Sequence, residues 1–195
     1  MGNVIFNMSM SLDGFIAGPH DEVDRLFQWY FSGDTEFPVQ GGRYVLKVSP
    51  ESAKLLEESQ RTTGAMVAGR RMFDVASAWG GNPPFAPCFV VTHSVPQEWV
   101  TEGSPFTFVT DGVESAIRQA KNAAGDKNVA VATAKIMQQC LTAGLLDEIT
   151  IDLVPVLLGE GIRLFEHLGT EPIELESTRV VEAPGVTHLR FRVVK

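Results

Sequence analysis

Short runs of β-branched and aromatic residues recur along this chain with helix-forming stretches between them, and this alternation limits the folds open to it more than any other feature. The runs are Val4–Met8, Ala65–Ala68, Cys88–Thr92, Phe106–Val109, Val129–Ala132 and Ile149–Val154, each bounded by polar residues or by Gly and Pro. Strands that alternate with helices join through right-handed crossovers into a largely parallel sheet. The helix signals agree with this reading. Ser49-Pro50-Glu51 offers an N-cap, a proline at the first helical position and an early acid ahead of Ala53–Arg61. Gly69-Arg70-Arg71 opens a helical stretch over Met72–Trp79. Asp111-Gly112-Val113-Glu114 has the spacing of a capping box for a helix over Val113–Ala124. Thr133 caps a further helix whose Ile136, Met137, Cys140 and Leu141 form one apolar face, with Gly144 past its end.

The last segment changes character. Glu174–Ala183 and Val186–Val194 read as strands joined through Pro184-Gly185, a pair suited to the centre of a type II turn, so an antiparallel hairpin ends the sheet. In its second strand Thr187, Leu189, Phe191 and Val193 alternate with His188, Arg190, Arg192 and Val194, one mainly apolar and one mainly polar face. From His20 to Lys47, Gly33 and Gly41-Gly42 interrupt an aromatic cluster of Phe27, Trp29, Tyr30 and Phe31, and the stretch reads as a loop-rich insertion over a site.

Composition narrows the function. The chain has 195 residues, 44% of them apolar, which suits one domain with a full core over residues 1–195. Sixteen basic against twenty-four acidic residues give a net charge of −8, which repels phosphate backbones and anionic lipids, so no nucleic-acid partner is expected. The longest apolar run, Leu153–Leu158, contains Pro155 and falls far short of the roughly 20 residues that cross a bilayer. The N-terminus carries no signal-peptide pattern, and a cytoplasmic protein is expected. Cys88 and Cys140 lie in apolar contexts and read as reduced buried thiols. His20, His93, His167 and His188 are scattered outside metal-ligand spacing, so no metal is expected.

The residues that carry chemistry gather at strand ends. Asp13-Gly14 follows the first strand: its glycine lets backbone approach a flat ligand and its carboxylate sits at the strand's C-terminal edge, although an Asp-Gly pair also makes an ordinary turn. Gly69-Arg70-Arg71 places two guanidinium groups at a helix start, either an anion site or a solvated charged pair. Thr92-His93-Ser94 offers hydroxyls at another strand end and reads equally as a polar loop. Ala132-Thr133-Ala134-Lys135 joins a strand to a helix through small residues that admit a pyrophosphate to helix N–H groups, with Lys135 adding charge.

Together these segments resemble the dihydrofolate-reductase-like family that includes the C-terminal reductase domain of riboflavin biosynthesis. The resemblance runs from about Val4 to Phe191. It rests on Met10-Ser11-Leu12-Asp13-Gly14-Phe15-Ile16-Ala17, on Gly69-Arg70-Arg71-Met72-Phe73, and on Gly144-Leu145-Leu146-Asp147-Glu148 leading through Val154–Gly161 to Arg163-Leu164-Phe165. It implies an α/β fold with a mixed sheet of about eight strands flanked by helices, NADPH as cofactor, and hydride transfer to a planar nitrogen heterocycle or its ribosylamino derivative. The reaction it implies is that of a 5-amino-6-(5-phosphoribosylamino)uracil reductase. In that reading Leu12, Gly14, Ile16 and Ala17 lie against the nicotinamide. Gly69, Arg70 and Arg71 meet the adenine-side phosphates, Thr92, His93 and Ser94 line the adenosine phosphate pocket, and Ala132, Thr133, Ala134 and Lys135 receive the pyrophosphate. The family usually has paired glycines where this chain has Ala132-Thr133. Asp13 is the candidate to relay a proton or orient substrate. Trp29 is the candidate stacking wall or else plain core, and Glu160 faces substrate or only turns the chain. Family members commonly pair, and the run Leu153–Leu158 is apolar enough for a sheet edge that a second copy covers, unless it is a buried central strand. Two alternatives stand beside this one. A dihydrofolate or pteridine reductase needs a buried carboxylate on the first helix, with Asp21, Glu22 and Asp24 in about that stretch. A cofactor-binding protein without turnover is the other. The P-C-x-x-C element of a zinc deaminase is absent, so a bifunctional deaminase-reductase is not expected.

Overall fold

In a computed structural model that describes residues 2–195, every one of the strand-like runs is a strand. The order along the chain is β1 (Val4–Ser11), β2 (Phe15–Ala17), β3 (Thr35–Val39), β4 (Tyr44–Val48), α1 (Pro50–Thr62), β5 (Thr63–Gly69), α2 (Arg70–Val75), β6 (Cys88–Val91), β7 (Phe106–Val109), α3 (Val113–Ala124), β8 (Asn128–Val131), α4 (Ala134–Thr142), β9 (Glu148–Val154), β10 (Ile162–Arg163), β11 (Leu175–Ala183) and β12 (Val186–Val193). Eight of these strands form one mixed sheet in the order β11-β12-β9-β1-β8-β5-β6-β7. The strands β1, β8, β5, β6 and β7 run parallel to one another. The hairpin β11–β12 and its neighbour β9 are antiparallel. Pro184-Gly185 makes the expected turn, with Gly185 at φ +77°.

The chain divides into two compact units, Met1–Phe6 with Thr62–Asp147 and Asn7–Arg61 with Glu148–Lys195. In the first, the crossovers β5–α2–β6 and β7–α3–β8 lay helices on the parallel strands. Its core joins Met66, Ala68, Phe73, Cys88, Val90 and Phe106, with Phe73 edge-on to Phe106 at 5.1 Å. In the second, Leu26, Trp29, Phe37, Val48, Val154 and Val186 form the core under α1 and the strands β9 and β12. Among the described residues no helix is long and apolar enough to cross a membrane.

Several expectations are corrected. The 20–47 stretch is not all loop: β3 and β4 pair as a hairpin, Phe37 opposite Leu46, turned through Gly41 and Gly42 at φ +67° and +87°. Pro38 on one strand and the exposed Tyr44 and Val45 on the other hide this hairpin from a periodicity argument. The helix after Gly69 stops at Val75, because Ser77, Ala78 and Trp79 take left-handed backbone at φ +48°, +51° and +49°. The capping box at Asp111 does not form; Gly112, at φ +101°, is the N-cap of α3 and no side chain caps it. Thr133 is the N-cap of α4 by position, yet its hydroxyl makes no capping bond. Ser49 does cap α1, accepting the Ser52 N–H at 3.2 Å. The run Leu153–Leu158 is not a sheet edge: β9 is interior, and Pro155 lies just beyond its end.

Candidate functional site

In the first unit the parallel register decides what comes together. Gly69 pairs with Val91, and Val67 with Val131, so β5, β6 and β8 release their chains at the same C-terminal edge. Gly69-Arg70-Arg71, Thr92-His93-Ser94 and Ala132-Thr133-Ala134-Lys135 all leave from that edge. Arg70 is held there by its own neighbours. Its Nε donates to the Asp74 carboxylate at 2.8 and 3.0 Å and its Nη1 to the Ser94 carbonyl at 2.9 Å. The buried Thr92 hydroxyl donates to the same Ser94 carbonyl at 2.8 Å and accepts the Ser94 N–H at 3.3 Å, which fixes the loop. His93, Arg71 and Lys135 are exposed. Two details mark the β8–α4 turn. The Thr133 Oγ1 is buried and has no hydrogen-bond partner. Gly69 lies so close that a Cβ placed on it would stand 3.3 Å from that oxygen. The first N–H groups of α4 have no partner within the helix.

In the second unit the loop after β1 is tied down by one carboxylate. Ser11, fully buried, donates its hydroxyl proton to Asp13 at 2.6 Å and accepts the Phe15 N–H at 2.9 Å. The other lone pairs of Asp13 accept the Leu158 N–H at 3.1 Å and the Gly159 N–H at 2.7 Å. These donors, the Ser11 hydroxyl foremost, hold the Asp13 pKa down to about 2 against partial desolvation. An acceptor so placed stays ionised at neutral pH and orients the loop. Leu12 donates its N–H to the Val156 carbonyl and turns an exposed side chain outward; Ile16 and Ala17 are buried in β2. Gly14 stands at φ +88° and accepts the Leu164 N–H on its carbonyl. Arg163, opposite Phe15 in the β2–β10 pair, lays its guanidinium over that ring at 4.6 Å. Glu160 is exposed in the turn between Gly159 and Gly161.

Trp29 is buried, with its indole N–H donated to the Ser9 hydroxyl at 3.1 Å and its ring 5.1 Å from that of His188, edge to face. Asp21, Glu22 and Asp24 lie on a loop rather than a helix, and Glu22 is spent accepting the His20 N–H. On α1 the only buried residue is Ser52.

A polar chain in this unit escaped the sequence reading. Ser52 Oγ lies 2.8 Å from His188 Nε2, and His188 Nδ1 lies 2.6 Å from Asp152 Oδ1. Asp152 Oδ2 accepts from the Asn7 amide at 3.3 Å. His188, placed by alternation on the polar face of β12, is therefore buried. The one signal for it is Asp152, an acid flanked by Ile151 and Leu153 in the mainly apolar β9.

The chain resembles proteins of known structure and sequence along its length. It is 23% identical over 178 residues to the uncharacterised protein YwjB of Bacillus subtilis, covering 90% of each. A protein ascribed to riboflavin biosynthesis in Shewanella sp. PV-4 superposes with a TM-score of 0.73 at 23% identity, over 99% of both chains. The riboflavin biosynthesis reductase Rib7 of Saccharomyces cerevisiae superposes with a TM-score of 0.62 at 12% identity, over 99% of this chain and 90% of that one. At these identities the superpositions establish the shared fold. The sequence match to the RibD C-terminal domain extends over residues 3–189, and the chain belongs to that family.

Proposed function

We propose that this protein is an NADPH-dependent reductase of the riboflavin-biosynthesis type, acting on a planar nitrogen heterocycle or its ribosylamino derivative. The observation that carries the reading is the β8–α4 turn. A buried hydroxyl without a partner is costly, and Thr133 Oγ1 is such a hydroxyl, at the N-cap position of a helix start and against a glycine that keeps the approach open. That donor set suits a nucleotide pyrophosphate. Ala132, Thr133, Ala134 and Lys135 hold it, while Gly69, Arg70, Arg71, Thr92, His93 and Ser94 take the adenine-side phosphates. Thr133 replaces the backbone room of a glycine pair with a hydroxyl donor. The nicotinamide ring supplies a hydride when bound.

Leu12, Gly14, Ile16 and Ala17 form the wall for the nicotinamide, and Asp13 holds that wall in place through Leu158 and Gly159. Trp29 is buried core, bonded through its indole N–H to Ser9, and exposed Glu160 is our candidate for the substrate side. Family membership supports an oxidoreductase, and we place it in the cytoplasm. Asp21, Glu22 and Asp24 lie off any helix, which favours this substrate class over a pterin.

Titrating NADPH and NADH against tryptophan fluorescence tests the proposal. NADPH is expected to bind roughly tenfold tighter, from charge-assisted contacts to its extra phosphate. The Arg71→Ala variant should lose most of that preference. Equal affinity for the two nucleotides at low salt overturns the assignment. NADPH consumption with 5-amino-6-(5-phosphoribosylamino)uracil, against dihydrofolate, then decides the substrate.

A further inference from the structure

The chain of buried groups that runs from α1 to β1 has a direction. The Ser49 hydroxyl accepts the Ser52 N–H and donates its proton to Ser52 Oγ at 3.2 Å. The Ser52 proton then goes to His188 Nε2, which leaves the ring proton on Nδ1, donated to Asp152. Ser52 is only 1% exposed, which rules out attack on an external acyl group. Every member is buried except the last, Asn7, which is exposed although it stands on an interior strand of the sheet.

A carboxylate accepts only, so Asp152 selects the amide nitrogen of Asn7 and turns the amide oxygen away from itself. Asn7 thus presents one carbonyl acceptor and one remaining N–H in a fixed orientation, next along the same face of β1 from Ser9 and Ser11. We infer that Asn7 is a specificity-determining residue that reads the adjacent C=O and N–H of a uracil-type ring, and that Ser52, His188 and Asp152 are positioning residues that fix its amide. This rests on the proposed reductase reading for the choice of heterocycle. The buried chain makes geometric sense on this basis: a freely rotating amide reads donor and acceptor in either order, whereas a locked one distinguishes them.

The test uses two commercial rings, 5,6-diaminouracil and its 1,3-dimethyl derivative, whose ring N–H groups are replaced by methyls. Binding to the full chain is followed by calorimetry. The wild type is expected to prefer diaminouracil by about tenfold, the effect of a hydrogen-bond pair in a partly desolvated site. Asn7→Leu, at an exposed position, should fold normally, lose that factor for diaminouracil and leave the dimethyl ring unchanged. His188→Leu should lose the preference too. His188→Asn, whose amide nitrogen replaces Nδ1–H toward Asp152, should restore it, a rescue that a purely structural histidine does not predict. No preference in the wild type, or a preference that survives Asn7→Leu, overturns the inference. If NADPH binds and the preference is missing, the reductase reading stands alone. If the preference follows Asn7 while NADPH fails to bind, the reductase reading falls instead.

Discussion

At the scale of single residues, the segments flanking β2 depend on Gly161, Gly14 and Asp13. A Cβ on Gly161 would stand 2.0 Å from the Ala17 carbonyl oxygen, and the residue sits at φ +141°. Gly161→Ala must therefore move the 159–163 turn away from β2, and a destabilisation of roughly 3 kcal/mol is expected. Gly14, at φ +88°, has open space around it, so Gly14→Ala meets only backbone strain, about 1–2 kcal/mol. Denaturant midpoints at constant slope compare the two; equal losses would show that the Ala17 contact relaxes. Asp13 gives a pH signature with a definite sign. Its folded-state pKa, about 2, lies below the ordinary 3.8, so its contribution is complete above pH 4 and is lost as the pH falls toward 2. The wild-type melting temperature should drop through that window more steeply than that of Asp13→Asn; parallel curves would mean that the carboxylate is not held as described.

At the scale of elements, the turn into α4 separates stability from binding. Because the Thr133 hydroxyl caps nothing, Thr133→Val removes a donor without removing a bond. Its melting temperature should stay close to the wild type, while NADPH affinity falls by about tenfold. A variant that loses stability instead would show that the hydroxyl does cap the helix in solution. The helix starts also show what local sequence can specify. Ser49-Pro50 was legible because an N-cap serine bonds within its own turn. Asp111 was not, because Gly112 at φ +101° turns the chain into α3 so that no side chain bonds back. The left-handed turn at Ser77–Trp79 had no local signal, since nothing in Ser-Ala-Trp favours positive φ; Ala78 is buried and Trp79 packs against the core that includes Phe106.

At the scale of the whole molecule, the sheet order decides where a second copy can dock. With β9 interior, the open edges are β11 and β7. The strand β11 runs for nine residues, is exposed along nearly all of its length and presents Val180 at 61% exposure. An open edge offers unpaired backbone groups to another strand, and we propose a homodimer formed along it around Val180. Sedimentation at micromolar concentration should give twice the 21.3 kDa chain mass, and Val180→Lys, which places a charge on the edge, should shift it to the monomer. A monomeric wild type ends this proposal.

The sequence by itself determined the chain order of the eight strands of the main sheet, the closing hairpin and the segments at the strand ends, because periodicity and turn chemistry act over a few residues. It also showed Asp13, Arg70 and Thr133 as residues of interest. What each of them does was decided by tertiary structure alone. Asp13 meets Leu158 and Gly159 across a separation of nearly 150 positions, Arg70 meets the Ser94 carbonyl, and Thr133 is left without a partner. The chain Ser52–His188–Asp152–Asn7 was invisible for the same reason. Its members come from α1, β12, β9 and β1, and hydrogen bonds at 2.6 to 3.3 Å between residues so far apart in sequence exist only once the strands have taken their register.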